Sequence, residues 1–139
     1  MHYVWKTLDA MCLKHDVWKL EHVLSDYVIA SGCPFRDKKE QQVKVARALI
    51  DMGNFISKFR VVGSAKPLSF KAGAHTGHVA AGIIGASAKR YCFFGDAMNV
   101  ASRMKSTGTK NRIQVSNAFY TAAMETKGAS KAMELIGFE

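Results

Sequence analysis

One long amphipathic stretch limits what this chain can become. Between Lys38 and Arg60, the residues Val43, Ala46, Leu49, Ile50 and Ile56 return on one face while Lys, Gln and Arg fill the others, which is the 3.6-residue period of a helix. A helix with such a stripe must bury it against a second layer. The text before it offers one. Trp5, Leu8, Met11 and Cys12 recur at helical spacing up to His15, and VWKLEHV then alternates as a strand does. Leu24, Ser25 and Asp26 stand where a tight turn belongs, and the β-branched, apolar YVIAS after them reads as the buried second strand of a hairpin, ended by Gly32 and Pro34.

Downstream of the long helix, SFKAGAHTG and HVAAGIIG read as adjacent strands, the second rich in Gly and Ala so that another backbone approaches closely. RYCFF is a further short strand. Gly95 and Asp96 open a helix running through Met104 and stopping at Gly108, with Asp96 as its N-cap. RIQVS is a strand, and residues Asn117 to Glu125 form a last helix. Mixed helices and strands with at least one hairpin make the fold α+β or α/β with a mixed sheet. At 139 residues, with no internal repeat or linker, the chain is one domain, 1–139, around a single core.

Composition narrows the partners. Twenty Lys and Arg against eleven Asp and Glu give a net charge of +9, which favours acidic partners such as nucleotides, nucleic acid, anionic lipid or an acidic protein. Three cysteines, Cys12, Cys33 and Cys92, form no CxxC pair and imply neither a disulfide framework nor a thiolate zinc site. No apolar run approaches a membrane-spanning length, so a soluble domain is expected; with the cysteines favouring a reducing compartment, its expected place is the cytoplasmic side, within a soluble, a cytoskeletal or, through parts of a longer chain, a membrane-bound protein.

The text FKAGAHTGHVAAGIIG, KRYCFFGDAMNVASRMKSTG and RIQVS, from Phe70 to Ser116, resembles the second half of the class III adenylyl and guanylyl cyclase catalytic domain, and KLEHVLSDYVIASGCP resembles its strand, turn, strand segment. The resemblance implies an α+β, ferredoxin-like fold with a mostly antiparallel sheet, helices packed on it, and an active site between two catalytic domains set head to tail. It implies attack of a ribose 3′-hydroxyl on the α-phosphate with loss of pyrophosphate, assisted by Mg2+ or Mn2+ on two aspartates. Asn99 and Arg103 match the family's ribose-orienting Asn and transition-state Arg. Their i, i+4 spacing puts both on one helix face; outside the NxASRMxSTG motif the same pair reads as an ordinary helix surface. Glu21 and Cys92 fall on the purine-selecting positions. Glu with Cys is the guanylyl pattern, whereas the adenylyl type carries Lys and Asp, so GTP is favoured over ATP. Taken alone, Glu21 reads as a solvated strand residue and Cys92 as a small core hydrophobe.

The departures from the family matter as much. Its first metal aspartate lies on an N-terminal strand that has no counterpart after Met1, and Ser25 stands where the second belongs. Asp26 is one residue late. In an uninterrupted strand Glu21, Val23 and Ser25 share a face and Asp26 takes the other, so Asp26 substitutes only where a bulge or turn slips the register. Leu24 replaces the turn glycine. The chain also ends at LIGFE, before the segment bearing the phosphate-contacting lysine. The expected role is that of the base-reading half of a cyclase homodimer or heterodimer, making cGMP only beside a metal-bearing partner domain and inactive alone. The alternative is a pseudo-cyclase serving as a structural or regulatory dimerisation module. A nucleic-acid module lacks the glycine-centred aromatic signature, so no nucleic-acid partner is expected, and His22, His75 and His78 have no carboxylate or thiolate at zinc-site spacing.

Overall fold

A computed structural model describes residues 2–23, 25–32, 41–63, 66, 68–87 and 90–125. Leu24, Cys33, Pro34, residues 38–40 and the C-terminal LIGFE lie outside the described residues. Helix α1 (His2–Lys14) buries Val4, Leu8 and Cys12, one residue per turn. It stops where Asp16 takes a left-handed conformation at φ 55° and Val17 turns back to donate to the Cys12 carbonyl. Strand β1 (Trp18–Val23) then pairs antiparallel with β2 (Asp26–Ala30). The long helix α2 (Gln41–Lys58) follows, and its inward residues Val43, Ala46, Ala48, Met52 and Gly53 include Ala48 and Met52 beyond the stripe read from the sequence.

Helix α2 is the shared roof. Ala48 and Met52 join Val4, Leu8, Cys12 and Val17 in one core cluster, against which Tyr27 and Ile29 of the hairpin pack. Ala46 joins a second cluster with Ala74 and Phe119. Gly53 lets α2 settle onto the Phe70 ring, where a Cβ would stand 2.6 Å from a ring carbon.

Polar contacts fix the first unit. Asp51 of α2 meets His15 Nε2 at 2.5 Å and Lys14 Nζ at 3.3 Å. Tyr27 stacks on Trp5 with centroids 5.7 Å apart and donates its hydroxyl proton to Asp9. Burial, followed by that bond to Asp9, pushes the Tyr27 phenol well above its ordinary range, and burial likewise raises the Cys12 thiol.

The second unit departs from the sequence expectation. Strand β3 (Ala72–Ala74) does not pair with β4 (Ala80–Ile84). Instead β3 runs parallel to β6 (Ile113–Val115), and β4 pairs antiparallel with β5 (Arg90–Phe94). The loop between β3 and β4 therefore changes sheets rather than closing a hairpin. The architecture is α+β, and the described residues form three two-stranded sheets, two antiparallel and one parallel. Helix α3 (Asp96–Ser106) packs on β3, and α4 (Asn117–Met124) closes the described chain. No helix among the described residues is long and apolar enough to cross a membrane.

Candidate active-site half

Helix α3 carries the chemistry-bearing pair. Its N-cap is Gly95 at φ 131°, a conformation glycine adopts without strain, and no side chain caps the helix. Asp96 is its first helical residue, which corrects the expected N-cap; an acid in that turn still complements the helix dipole. The helix sits against Gly73 of β3, where a Cβ would lie 2.2 Å from the Lys105 backbone nitrogen and 2.7 Å from the Ala101 carbonyl oxygen. With Ala101, Met104 and Lys105 toward β3, the 100° step of the helix carries Asn99 and Arg103 to the opposite side. Both are exposed, and neither side chain makes a hydrogen bond or ion pair with another described residue. An amide and a guanidinium thus stand together on one open ridge.

The hairpin turn approaches the other flank of the same helix. Lys105 Nζ lies 2.8 Å from Asp26 Oδ1. Val23 pairs with Asp26 across the turn, and Glu21 with Val28. Opposed residues of an antiparallel pair share a face, so positions 21, 23, 26 and 28 lie on one side, alternating with Tyr27 and Ile29, which pack into the core. Asp26 thus shares the face of Glu21, the slipped register under which the sequence lets it stand in for the aspartate, and not the opposite face of an uninterrupted strand. A register shift between Lys19 and Glu21 precedes the turn.

Divalent cations require several oxygen ligands brought together. Ser25 supplies an uncharged hydroxyl on an exposed turn, the Asp26 carboxylate is held by the Lys105 ammonium, and no three His, Cys, Asp or Glu side chains gather among the described residues. These residues do not fit a resident Mg2+ or Mn2+.

Glu21 and Cys92 are placed by strand register alone: Glu21 opposite Val28 in the first sheet and Cys92 opposite Gly82 in the third. No strand ladder joins those sheets among the described residues. The HTG segment serves packing. His75 Nδ1 lies 2.6 Å from Ser116 Oγ, which also accepts from the Phe119 amide at the start of α4, and Gln42 Nε2 donates to Thr76 Oγ1 at 3.3 Å. Gly77 lies under the first turn of α3, where a Cβ would be 3.0 Å from the Ala97 Cβ. Periodicity gave no sign of the Lys105 pairing or of the His75 contact, because both join residues far apart in the chain.

Fold and ridge together define an α+β domain with an exposed amide and guanidinium on one helix face. The chain belongs to the adenylate and guanylate cyclase catalytic domain family, whose model matches residues 1–135. It is 37% identical over 124 residues to guanylyl cyclase C of Mus musculus, covering 88% of this chain and 12% of that protein. It is 36% identical over 135 residues to retinal guanylyl cyclase 2 of Bos taurus, covering 96% of this chain and again 12% of the relative. The chain thus spans about an eighth of the length of these curated relatives. Among solved structures, the guanylate cyclase domain of RhGC from Catenaria anguillulae in complex with GTP superposes with a TM-score of 0.82 at 26% identity, covering 91% of this chain and 67% of that one. The adenylyl cyclase CyaB from P. aeruginosa shares the fold, with a TM-score of 0.75 at 23% identity and coverage of 89% and 66%.

Proposed function

We propose that this chain is the base-reading half of a guanylyl cyclase dimer that converts GTP to cGMP and pyrophosphate. The observation carrying this reading is the open ridge of α3, where Asn99 and Arg103 stand side by side, exposed and uncommitted to any other described residue. The guanidinium is a planar fork of donors suited to phosphate oxygens, and it gains most where negative charge grows during transfer. The Asn99 amide, one turn earlier, orients the ribose so that its 3′-oxygen faces the α-phosphate. The new 3′-oxygen to phosphorus bond forms as the bond to the pyrophosphate oxygen breaks, and positioning supplies much of the rate. Glu21 accepts from the guanine N1–H and exocyclic amine, and Cys92 takes the second purine-selecting position, which disfavours ATP because adenine presents no such donor pair. Mg2+ or Mn2+ arrives with the carboxylates of a second, metal-bearing cyclase domain, in a heterodimer; a homodimer of this chain lacks the metal pair, and no step of this half runs through the ions.

A second reading, a pseudo-cyclase that keeps fold and dimer surface without making cyclic nucleotide, is favoured by the Lys105 ammonium on Asp26 and by serine at position 25. One experiment separates them. The chain is mixed with a cyclase domain bearing both metal aspartates and assayed with GTP and ATP in the presence of Mn2+. The half-site reading expects cGMP from the mixture, none from this chain alone, and loss of at least about 100-fold on Arg103→Ala. A mixture that makes no cyclic product, or one indifferent to Arg103→Ala, establishes the pseudo-cyclase instead.

A further inference from the structure

The Arg103 side chain is held by no other described residue, so its place in space is inherited from its own backbone. That backbone is gripped at one atom. The Arg103 carbonyl, in the last turn of α3, accepts the i+4 helix bond from the Thr107 amide at 2.9 Å and in addition the Thr107 hydroxyl at 2.6 Å and the Ser106 hydroxyl at 3.2 Å. The Thr107 hydroxyl is itself engaged from another element, for Gln114 Nε2 of β6 lies 2.9 Å from it. A carboxamide nitrogen only donates, so Thr107 Oγ1 accepts from Gln114 and its single proton is left for the Arg103 carbonyl. The direction of the whole chain is thereby fixed, from strand to hydroxyl to helix end.

Gln114 pairs across the ladder with Gly73, the residue whose bare backbone receives α3. A notch alone sets how close a helix comes, but it leaves the helix free to slide and roll. The Gln114–Thr107 link removes that freedom at the turn from which Arg103 projects. We infer that Thr107 and Gln114 are positioning residues for Arg103, latching the last turn of α3 to the β3–β6 pair so that the guanidinium meets the triphosphate in one fixed place. This rests on the half-site reading above.

The test uses the 139-residue chain with the metal-bearing partner and the variants Thr107→Val, Thr107→Ser, Gln114→Leu and the Thr107→Val/Gln114→Leu double. A guanidinium displaced by a fraction of an ångström costs turnover rather than binding, so Thr107→Val and Gln114→Leu each lower kcat about tenfold with KM for GTP within about twofold. Thr107→Ser restores kcat to within about twofold, and the double variant is no worse than Thr107→Val, because both changes break one chain of bonds. An unchanged kcat in Thr107→Val and Gln114→Leu overturns the inference, as does a Thr107→Ser variant as impaired as the valine. A second arm needs no catalysis: in amide spectra of the chain alone, Gln114→Leu shifts residues 99–106 of α3, and shifts confined to β6 and its strand neighbours overturn the latch. Absence of cGMP from the wild-type mixture would sink the half-site reading, and the amide spectra would still decide the latch.

Discussion

Asp26 and Lys105 form an ion pair in which both partners keep a good share of their surface in water, with 55% of the aspartate and 34% of the lysine side chain exposed. Such a pair is worth less than about 1 kcal/mol, so its interest lies in what it occupies rather than in what it stabilises. Lys105→Ala is accordingly expected to leave the melting temperature within a few degrees of wild type. Gly73→Ala is the contrasting case. Its new methyl would fall on helix backbone, not on the end of a flexible side chain, and α3 would have to lift away. A loss of at least about 3 kcal/mol is expected, at or beyond the upper end of ordinary overpacking, read by urea denaturation. The proposed base selection rests on two residues: Glu21→Lys combined with Cys92→Asp should turn a GTP preference into an ATP preference in the partnered assay, and an unaltered preference would remove both residues from the base pocket. Asn99, Arg103, Glu21 and Cys92 are candidates in the sequence because a motif names them. Lys105, Thr107 and Gln114 are not, since spacing along a chain does not reveal which hydroxyl or ammonium a fold will bring to which acceptor.

The elements themselves were largely readable. The apolar stripe of α2 and the alternation of β1 announced their own types, whereas the pairing of β3 with β6 is a parallel contact across a long crossover that no local pattern encodes. Asp51 shows how two helices are tied by charge. The His15 hydrogen bond is the main influence holding its carboxyl below the usual 3.8, opposed by partial burial and reinforced by Lys14. A carboxylate whose folded value is depressed contributes stability that is complete above its unfolded value and lost as pH falls through the folded one. Asp51→Asn is therefore expected to cost up to about 1 kcal/mol near pH 5, after allowance for solvent screening, and the gap from wild type should narrow as pH falls below 3.8 in paired urea melts. A gap that persists in acid would show that packing, not charge, joins α1 to α2 there. At the other end, Ser116 serves two elements with one oxygen, capping α4 and meeting His75. Ser116→Ala should cost about 1 to 2 kcal/mol, the usual loss of a helix cap with a side-chain bond added.

At the scale of the whole molecule, the exposed ridge and the unsuited metal position are two aspects of one arrangement. A domain able to complete the reaction alone would hold carboxylates, metal and guanidinium around one substrate. Here the guanidinium ridge lies on the side of α3 away from the strand it packs on, while the Asp26 carboxylate is engaged by the Lys105 ammonium on another flank. On the proposed half-site reading, a substrate seated on the ridge receives its metal ions from the far wall of a cleft that a second domain builds. The consequence is a stoichiometry. With this chain fixed and the metal-bearing domain titrated, cGMP formation should rise and saturate at one partner per chain. Dilution of the mixture should lower specific activity as the dimer parts, and excess Mn2+ alone should not replace the partner. An Arg103→Ala chain added in excess should compete, since it keeps the fold and the dimer surface but not the fork of donors, and activity should fall in proportion to its share. Activity that survives dilution unchanged, or that Mn2+ elicits from this chain alone, would mean that a single domain holds the complete site.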